Sequence, residues 1–417
     1  MINAKVVEKS ANASANPLAQ PTEIEVGLLT GGSDKPYAYG LAMALTSRGV
    51  GLDFIGSDEL DSLELRRLPN LRFLNLRGSQ RREASLSSKF KRILVYYARL
   101  IQYGFVARPK IFHILWNNKF QTIDRTLLMV YYKLQRRKIA FTAHNVNAGK
   151  RDSNNSLINR LTLRTQYRLA DHIFVHTEKM KAELLEDFGV SSQAISVIPF
   201  GINNAVPQTD LTPKQAKERL GIKANEKAIL FFGRIAPYKG LHFLVTAFLQ
   251  IVERDPNYRL IIAGQPKEGS EKYLHEVLSS LVSSKALASV IQKIEFIPDE
   301  ETEVYFKAAD VLALPYAQIF QSGVLFLAYS FGLPAIATDV GSFTEDITEG
   351  RTGFVCKSCD PVDLAKAIER YFESDLYKSL NIRRHEIRDA AEARYSWSVV
   401  CEKTCKVYAQ LLGRQPS

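Results

Sequence analysis

Short apolar runs rich in β-branched residues recur along the whole chain, each followed by a turn and then by a stretch with helical spacing. No other feature limits the possible folds as strongly. "IEVGLL" (24–29) leads into the Gly-rich turn "TGGSDKPY" and a helical pattern over 37–48. "VGLDFIGS", "LRFLNLRG", runs at 111–116, 140–143 and 172–176, and "AISVIPF" continue the series. Helical patterns at 123–136 and 179–188 lie between them. Such alternation builds βαβ units and parallel sheets. It breaks once, at "GINNAVPQTDLTPKQAKERLGIKANEK" (201–227), a polar stretch with prolines that reads as a crossing between two units. It then restarts, with strands expected at 228–232, 259–263, 293–296, 311–313, 335–338 and 353–355. The 417 residues therefore divide into two doubly wound, Rossmann-like units of similar size. Ligands of such sheets bind beyond the carboxyl ends of the strands, which places a site in the cleft between the two units.

Lys and Arg exceed Asp and Glu by 55 − 44 = 11. The excess favours an anionic partner: nucleic acid, acidic lipid or a phosphorylated substrate. A solvated basic surface is the simpler account. Four cysteines in this length argue against a disulfide scaffold and fit a reducing, cytoplasmic compartment. Cys356 and Cys359 form Cys-x-x-Cys, and Cys401 and Cys405 lie one helical turn apart. Nothing in the sequence places the two pairs together, so no zinc site is expected. The opening residues 1–22 are small and polar, without the apolar core of a secretory signal, and read as a disordered tail. No run of about 20 apolar residues appears, so any membrane association is expected to be peripheral.

Two segments carry chemistry. In "FFGRIAPYKG" (231–240), Gly233 turns the backbone at the end of a strand, and Arg234 and Lys239 follow on the loop that faces the cleft. An Arg fork and a Lys point charge suit a diphosphate. In "QIFQSGVLFLAYSFGLPAIATDVGSFTEDI" (318–347), Ser322 is a suitable N-cap and Gly323 admits a ligand to the backbone. The free N–H groups at that helix start form an anion site. For Lys239 the rival account is a solvated loop, and for Ser322 an ordinary helix cap. Two phosphate-binding loops in one domain favour the ligand reading.

Together these segments are similar to those of GT-B glycosyltransferases of family 4, which are retaining and use nucleotide-sugar donors. "GRIAPYKG" resembles that family's Gly-Arg…Lys-Gly donor motif, and "GVLFLAYSFGLPAIATDVGSFTEDI" its helix-then-"GLPVVAT" segment. "FTAHNVN" resembles the strand ending in a cleft histidine, here His144, and "YRLADHIFVHTEKMKAELLEDFGVSSQAISVIPFGIN" the segment that precedes the linker. The resemblance implies a GT-B fold: an acceptor domain over 23–204, a nucleotide-sugar donor domain over 205–394, and a terminal helix over 395–417 crossing back to the first domain. It implies that His144 reaches the sugar, where a hydrogen-bonded structural histidine is the rival account of that residue taken alone, that Arg234 and Lys239 neutralise the leaving diphosphate, and that the Ser322 helix start shares that charge. Gln321, Ser322, Gly323, Val324 and Leu325 then contact the donor, with Gly233 and Gly32 letting backbone amides approach; for Gly31 and Gly32 a plain tight turn is an equal account. No cofactor or divalent metal is then required, and the chain has no Asp-x-Asp.

One departure stands out. The family's Glu-x7-Glu positions hold Ile319 and Leu327 here. Glu345, in "GSFTEDI", is another acid close in sequence and is counted with the expected donor contacts. The loss leaves a non-catalytic binding or scaffolding protein on the same fold as the alternative to a transferase. Between Arg66 and Arg92, nine Lys and Arg meet one acid, Glu83, and the aromatic, amphipathic "ILVYYARLIQYGFV" follows. By periodicity this is a core-facing helix beside a basic loop. The family resemblance adds a glycan or lipid-linked acceptor, and with it docking of the 66–106 region on an anionic membrane face at the cytoplasmic side. No nucleic-acid module is recognised, so no nucleic-acid partner is expected.

Overall fold

Buried β-branched runs need strand neighbours on both sides, and the chain supplies them twice. The computed structural model describes residues 24–31, 35–80, 86–151, 156–202, 206–284 and 286–414. The first sheet contains β1 (Glu25–Leu29), β2 (Gly51–Gly56), β3 (Leu71–Asn75), β4 (Ile111–Ile114), β5 (Lys138–Thr142), β6 (His172–Val175) and β7 (Ile195–Val197). Its seven strands are parallel, in the order β3-β2-β1-β4-β5-β6-β7. The second contains β8 (Lys227–Phe232), β9 (Tyr258–Ala263), β10 (Val290–Lys293), β11 (Val311–Leu314), β12 (Ala335–Thr338) and β13 (Gly353–Cys356). Its six strands are also parallel, in the order β10-β9-β8-β11-β12-β13. In each sheet the winding reverses beside the first strand. Loops leaving the two central strands therefore diverge and open a crevice at the carboxyl edge.

Helices cover both faces of the first sheet. They are α1 (Lys35–Ser47), α2 (Leu86–Val106), α3 (Met129–Leu134, after a π-helical turn at Asp124–Leu128), α4 (Leu157–Leu169) and α5 (Glu178–Phe188). Along β5, Ile139 and Phe141 enter one core and Ala140 the other, as a period of two requires. The first of these cores also takes Tyr96, Leu100 and Tyr103 of α2, Met129 and Tyr132 of α3, Leu163 of α4 and Leu184 of α5. These four helices therefore form one layer. On the second domain the elements used below are α6 (Leu241–Arg254), α7 (Gly323–Ser330) and α8 (Leu380–Tyr395).

The last helix, α9 (Trp397–Leu411), leaves the second domain and packs on α1 of the first. Val400, Cys401, Val407 and Tyr408 lie in the same core as Leu41 and Leu45. Trp397, at the crossing, lies in a slot between Gly40 and Gly201, where a Cβ on either glycine would collide with the indole. The Tyr408 hydroxyl is hydrogen-bonded to His113 Nδ1 of β4 at 2.6 Å, and His113 Nε2 to Thr142 Oγ1 at 2.7 Å. Strand positions follow the sequence pattern with one clear shift: β10 spans Val290–Lys293, upstream of the expected 293–296. It is an edge strand held by β9 alone, with Val290 opposite Leu260, and Phe296 is exposed. Register with a neighbour outweighs local apolar pattern there.

Burial lowers His113 to about 3 and His172 to about 4. Both are neutral in the folded chain, whereas an unfolded histidine titrates near 6.5. Between those values the unfolded state binds more protons, so stability falls as pH falls, by about 1.4 kcal/mol per pH unit for each such histidine. Thermal melts from pH 7 to pH 4 are expected to show Tm dropping steeply below pH 6.5. A flat profile across that window would contradict the buried, neutral state of these rings.

Candidate active site

The loop leaving β8 carries one of the most constrained cations in the molecule. After Phe232 the chain turns at Gly233, makes a single 3-10 turn at Pro237–Lys239, and enters α6 through Gly240. Gly240 has φ 68°, and a Cβ there would collide with the Pro315 carbonyl oxygen. The loop can thus lie flush against the segment leaving β11. This contact sets Lys239 Nζ over the Tyr316 ring, 5.3 Å from its centroid. Lys239 is only 8% exposed, and among the described residues no carboxylate lies within ion-pair distance of it. Burial, reinforced by the Arg234 charge, holds its ammonium below the usual lysine range.

Across from it is the start of α7. Ser322 occupies the N-cap position with extended backbone, but its side chain makes no capping bond. Its Oγ lies 3.5 Å from the Tyr316 hydroxyl instead. The first N–H groups of a helix have no acceptor inside it, so those of Gly323 and Val324 face outward with the positive end of the dipole. The Leu325 N–H is already used, bonded to Ser322 O at 3.1 Å. Gln321 Oε1 is buried with no hydrogen-bond partner.

The first domain contributes a histidine pair. His176 Nδ1 lies 3.2 Å from the Ile198 carbonyl oxygen, which can only accept, so His176 carries its proton on Nδ1. Its Nε2 is then an acceptor, 3.0 Å from His144 Nδ1, which must donate. His144 Nε2 is left as a bare lone pair, buried and without a partner. Burial first, and His176 second, hold His144 well below its usual value, and burial lowers His176 to about 4. Both rings are therefore neutral at physiological pH, as this proton assignment requires. The Trp116 ring stacks on His144, with centroids 4.3 Å apart and planes at 4°, and fixes its orientation.

Lys239, Gln321, Ser322, Gly323, Val324 and His144 line one cleft of about 430 Å³ between the domains. No Asp or Glu lines it among the described residues. Ile319 and Leu327 are both in its wall. The other sequence candidates lie elsewhere. Gly233 is beside the cleft, its hypothetical Cβ 3.5 Å from Lys239 Nζ and 3.6 Å from Val324 Cγ2. Arg234 is exposed and does not line the cleft. Leu325 does not reach it either, because its side chain is wholly buried in the core of the second domain and its N–H is spent. Glu345 is exposed and outside the lining. Gly31 packs against Trp116 and its carbonyl accepts from the Arg77 guanidinium, so it serves as a turn. Gly32 lies outside the described residues. Sequence reasoning missed Trp116, Tyr238, Tyr316, Phe200 and Trp397 in the lining, and His176 behind it. The signal was available for three of them: Trp116, His176 and Tyr316 each lie within two residues of the carboxyl end of a strand, as His144 does. The cysteine pairs lie in separate cores, Cys356 in the second and Cys401 in the first, and no group placed to hold a metal occurs among the described residues.

Residues 213–394 match the family model for group 1 glycosyl transferases, and residues 36–206 that for glycosyltransferase family 4. The chain belongs to the GT-B glycosyltransferases of family 4. It is 29% identical over 246 residues to a D-inositol 3-phosphate glycosyltransferase of Corynebacterium urealyticum, covering 58% of this chain and 57% of that protein. The chain thus spans under two thirds of that relative's length. A protein of the same description from Corynebacterium glutamicum is 24% identical, with 96% of each chain covered. In fold, the chain resembles sucrose-phosphate synthase from Thermosynechococcus elongatus (TM-score 0.75, 19% identity, 94% of this chain and 99% of that one). It also resembles Anabaena HepE solved with UDP and glucose (TM-score 0.71, 18% identity, 93% and 100%). Against this family's Glu-x7-Glu, the apolar Ile319 and Leu327 place no acid in the cleft wall, and among the described residues its charged lining is Lys239 alone.

The histidine pair generates a prediction. His176→Ala leaves His144 Nδ1 without an acceptor and frees the other tautomer, which presents an N–H to the cleft. Transfer efficiency should fall about tenfold, one hydrogen bond's worth. His176→Asn, whose amide oxygen can still accept, should recover most of it. Equal loss in both variants, read as kcat/KM at matched Tm, would rule out the positioning role.

Proposed function

We propose that the chain moves a sugar from a nucleotide-sugar donor to a glycan or lipid-linked acceptor, with retention at the anomeric carbon. The product would belong to cell-surface polysaccharide or glycolipid synthesis at the cytoplasmic face of a membrane. One observation carries this reading: a buried ammonium with no acid partner shares a cleft with two orphaned acceptors, His144 Nε2 and Gln321 Oε1. A cation lacking its anion fits a phosphate, and acceptors lacking donors fit sugar hydroxyls. Those two features belong to one ligand class.

In the step itself, the bond from the anomeric carbon to the diphosphate oxygen breaks, and negative charge gathers on the leaving group. Lys239, itself buried, and the N–H groups of Gly323 and Val324 meet that charge at one wall of the cleft, where fixed donors and charges stabilise it. The acceptor hydroxyl forms the new glycosidic bond and gives up its proton. With no carboxylate in the lining among the described residues and His144 held weakly basic, the departing phosphate oxygen is the best base among them. A base on the leaving-group side brings the acceptor in from that side, which retains configuration. Lys239 and the start of α7 would take the place of a divalent metal, and this step needs none. The relative solved with UDP and glucose is consistent with the donor class, and the inositol-phosphate relatives make a phosphorylated polyol the comparison acceptor.

Turnover of a panel of nucleotide sugars, with lipid-linked acceptors and D-inositol 3-phosphate in parallel, tests the proposal. A donor that raises Tm and is consumed is expected; a chain that neither binds nor hydrolyses any of them would be the non-catalytic scaffold instead. Lys239→Met should lower kcat about 10²–10³-fold, the loss seen when a leaving-charge stabiliser is removed. The same change deletes an uncompensated buried charge, so Tm without donor should rise. Near-normal transfer in that variant removes the leaving-group role. Activity should also persist in excess EDTA, and its loss there would require a metal.

A further inference from the structure

Exposed apolar side chains are normal when scattered, but a contiguous field of them needs an occupant. Twenty-two large apolar residues are substantially exposed among the described residues, and fourteen fall between Phe90 and Leu161. They form helical stripes. On α2, Phe90, Leu94, Ile101 and Phe105 follow spacings of four, seven and four. Ile123, Leu127, Val130 and Leu134 repeat the pattern from the turn before the π-helical segment to the end of α3. Leu157, Ile158 and Leu161 begin α4. Because the inward residues of these helices share one core, the stripes all look away from the same sheet face. The helices also touch: the Tyr131 hydroxyl donates to the Ile101 carbonyl at 2.7 Å, and Arg125 Nη1 to Asn159 Oδ1 at 2.8 Å.

The charge of the chain is concentrated in the same segment. Residues 86–170 hold seventeen Lys and Arg and two acids, Asp124 and Asp152. That is 17 − 2 = +15, against +11 for the whole chain, so the remainder is net acidic. Arg160, Arg164 and Arg168 of α4 are exposed, with no acid in ion-pair distance among the described residues. The basic stretch 66–92, which includes β3 and the first turns of α2, is less available. Arg66 pairs with Asp61, Arg72 with Asp53, Arg77 with the Gly31 carbonyl and Arg92 with that of Ser79. Arg81 and Arg82 lie outside the described residues.

We propose that the outer face of α2, α3 and α4 docks on the surface of an anionic lipid bilayer, the stripes entering the headgroup boundary and the arginines meeting lipid phosphates. Apolar insertion combined with basic charge is what such a surface selects, and a protein partner would not need the net charge. Topology gives the docking a direction. Helices in a parallel α/β layer run opposite to the strands, so the first turns of α2 and α4 lie at the carboxyl edge, where the cleft opens. Phe90, Ile123 and Leu157 are therefore at the cleft end of their helices, and a docked chain holds the cleft mouth at the bilayer. Only this last consequence, access to a lipid-linked acceptor, rests on the proposed function.

The test is flotation of the full chain with vesicles of phosphatidylcholine alone and of phosphatidylcholine with phosphatidylglycerol. Wild type should partition to the anionic vesicles at least tenfold better, less so at high salt. Leu127→Glu with Leu161→Glu should lower that partition at least tenfold, as should Arg160→Glu with Arg164→Glu. Ile382→Glu, an equally exposed site on the second domain, should leave it unchanged. Tm and consumption of donor in solution should match wild type in all three, which separates failure of docking from failure of the transferase reading. Equal partition to both vesicle types, or unaltered binding by the first two variants, overturns the proposal. So does light scattering that finds a wild-type dimer dissolved by Leu127→Glu with Leu161→Glu, since the face would then join two copies of this chain.

Discussion

An ammonium removed from water without a counter-charge is costly, by several kcal/mol even after the surroundings relax. Lys239 is such a group, and much of the second domain's architecture bears on keeping it there. A left-handed glycine immediately after it allows the loop to press on the segment leaving β11. The Tyr316 ring beneath it offers partial compensation through its negative face. Strands β8 and β11, which carry these two loops, are paired neighbours at the point where the winding of the sheet reverses. The cost of the charge is thus distributed over contacts that would hold the loop in any case. What the fold gains is a site whose electrostatics are set before any ligand arrives.

The two domains supply complementary halves. The second provides positive potential, from Lys239 and the start of α7. The first provides a neutral acceptor, His144 Nε2, whose state is fixed by a proton chain ending on the Ile198 carbonyl. That carbonyl belongs to the segment that leads to the crossing between domains, two residues before Phe200, which stacks on Phe326 of α7 with planes at 21°. Trp397 enters the same junction from the return crossing, edge-on to Tyr37. The proton assignment in one domain and the anion site in the other are therefore mechanically joined through a few aromatic rings.

Much of this was legible in the sequence, for a physical reason. Parallel sheets bury both faces of their strands, which forces near-continuous apolar runs that stand out against helical patterns. The runs located the thirteen strands found among the described residues, and only edge strand β10 was clearly displaced, where one neighbour rather than two fixes the register. Residues at strand ends were legible for the same reason: His144 and Lys239 follow strands directly or by one loop. What could not be read was depth. Leu325 and Val324 are adjacent, yet only Val324 faces the cleft, because helical rotation turns the next residue into the core. Arg234 and Lys239 look alike as letters, but the collision space at Gly240 buries one and leaves the other in solvent. The exposed stripes of α2, α3 and α4 were equally hidden, since apolar residues at helical spacing imply a buried face unless the partner face is known to be occupied.

The replacement of two expected acids by Ile319 and Leu327 fits this electrostatic picture. A carboxylate at either position would sit in the same cleft wall as an unpaired ammonium and would tend to capture it, weakening its hold on a diphosphate. With apolar residues there, Lys239 has no internal competitor among the described residues, at the expense of the contacts those acids would make to hydroxyl groups. A leucine cannot accept a hydrogen bond, and a hydroxyl buried against it loses its water. On the proposed reading, the donor's ribose must then turn its hydroxyls toward Gln321 Oε1 and Ser322 Oγ, the neutral acceptors next to the helix start. Neutral acceptors bind a hydroxyl more weakly than a carboxylate does. Discrimination among donors is thereby shifted from the ribose to the sugar that meets His144 and to the diphosphate common to all of them.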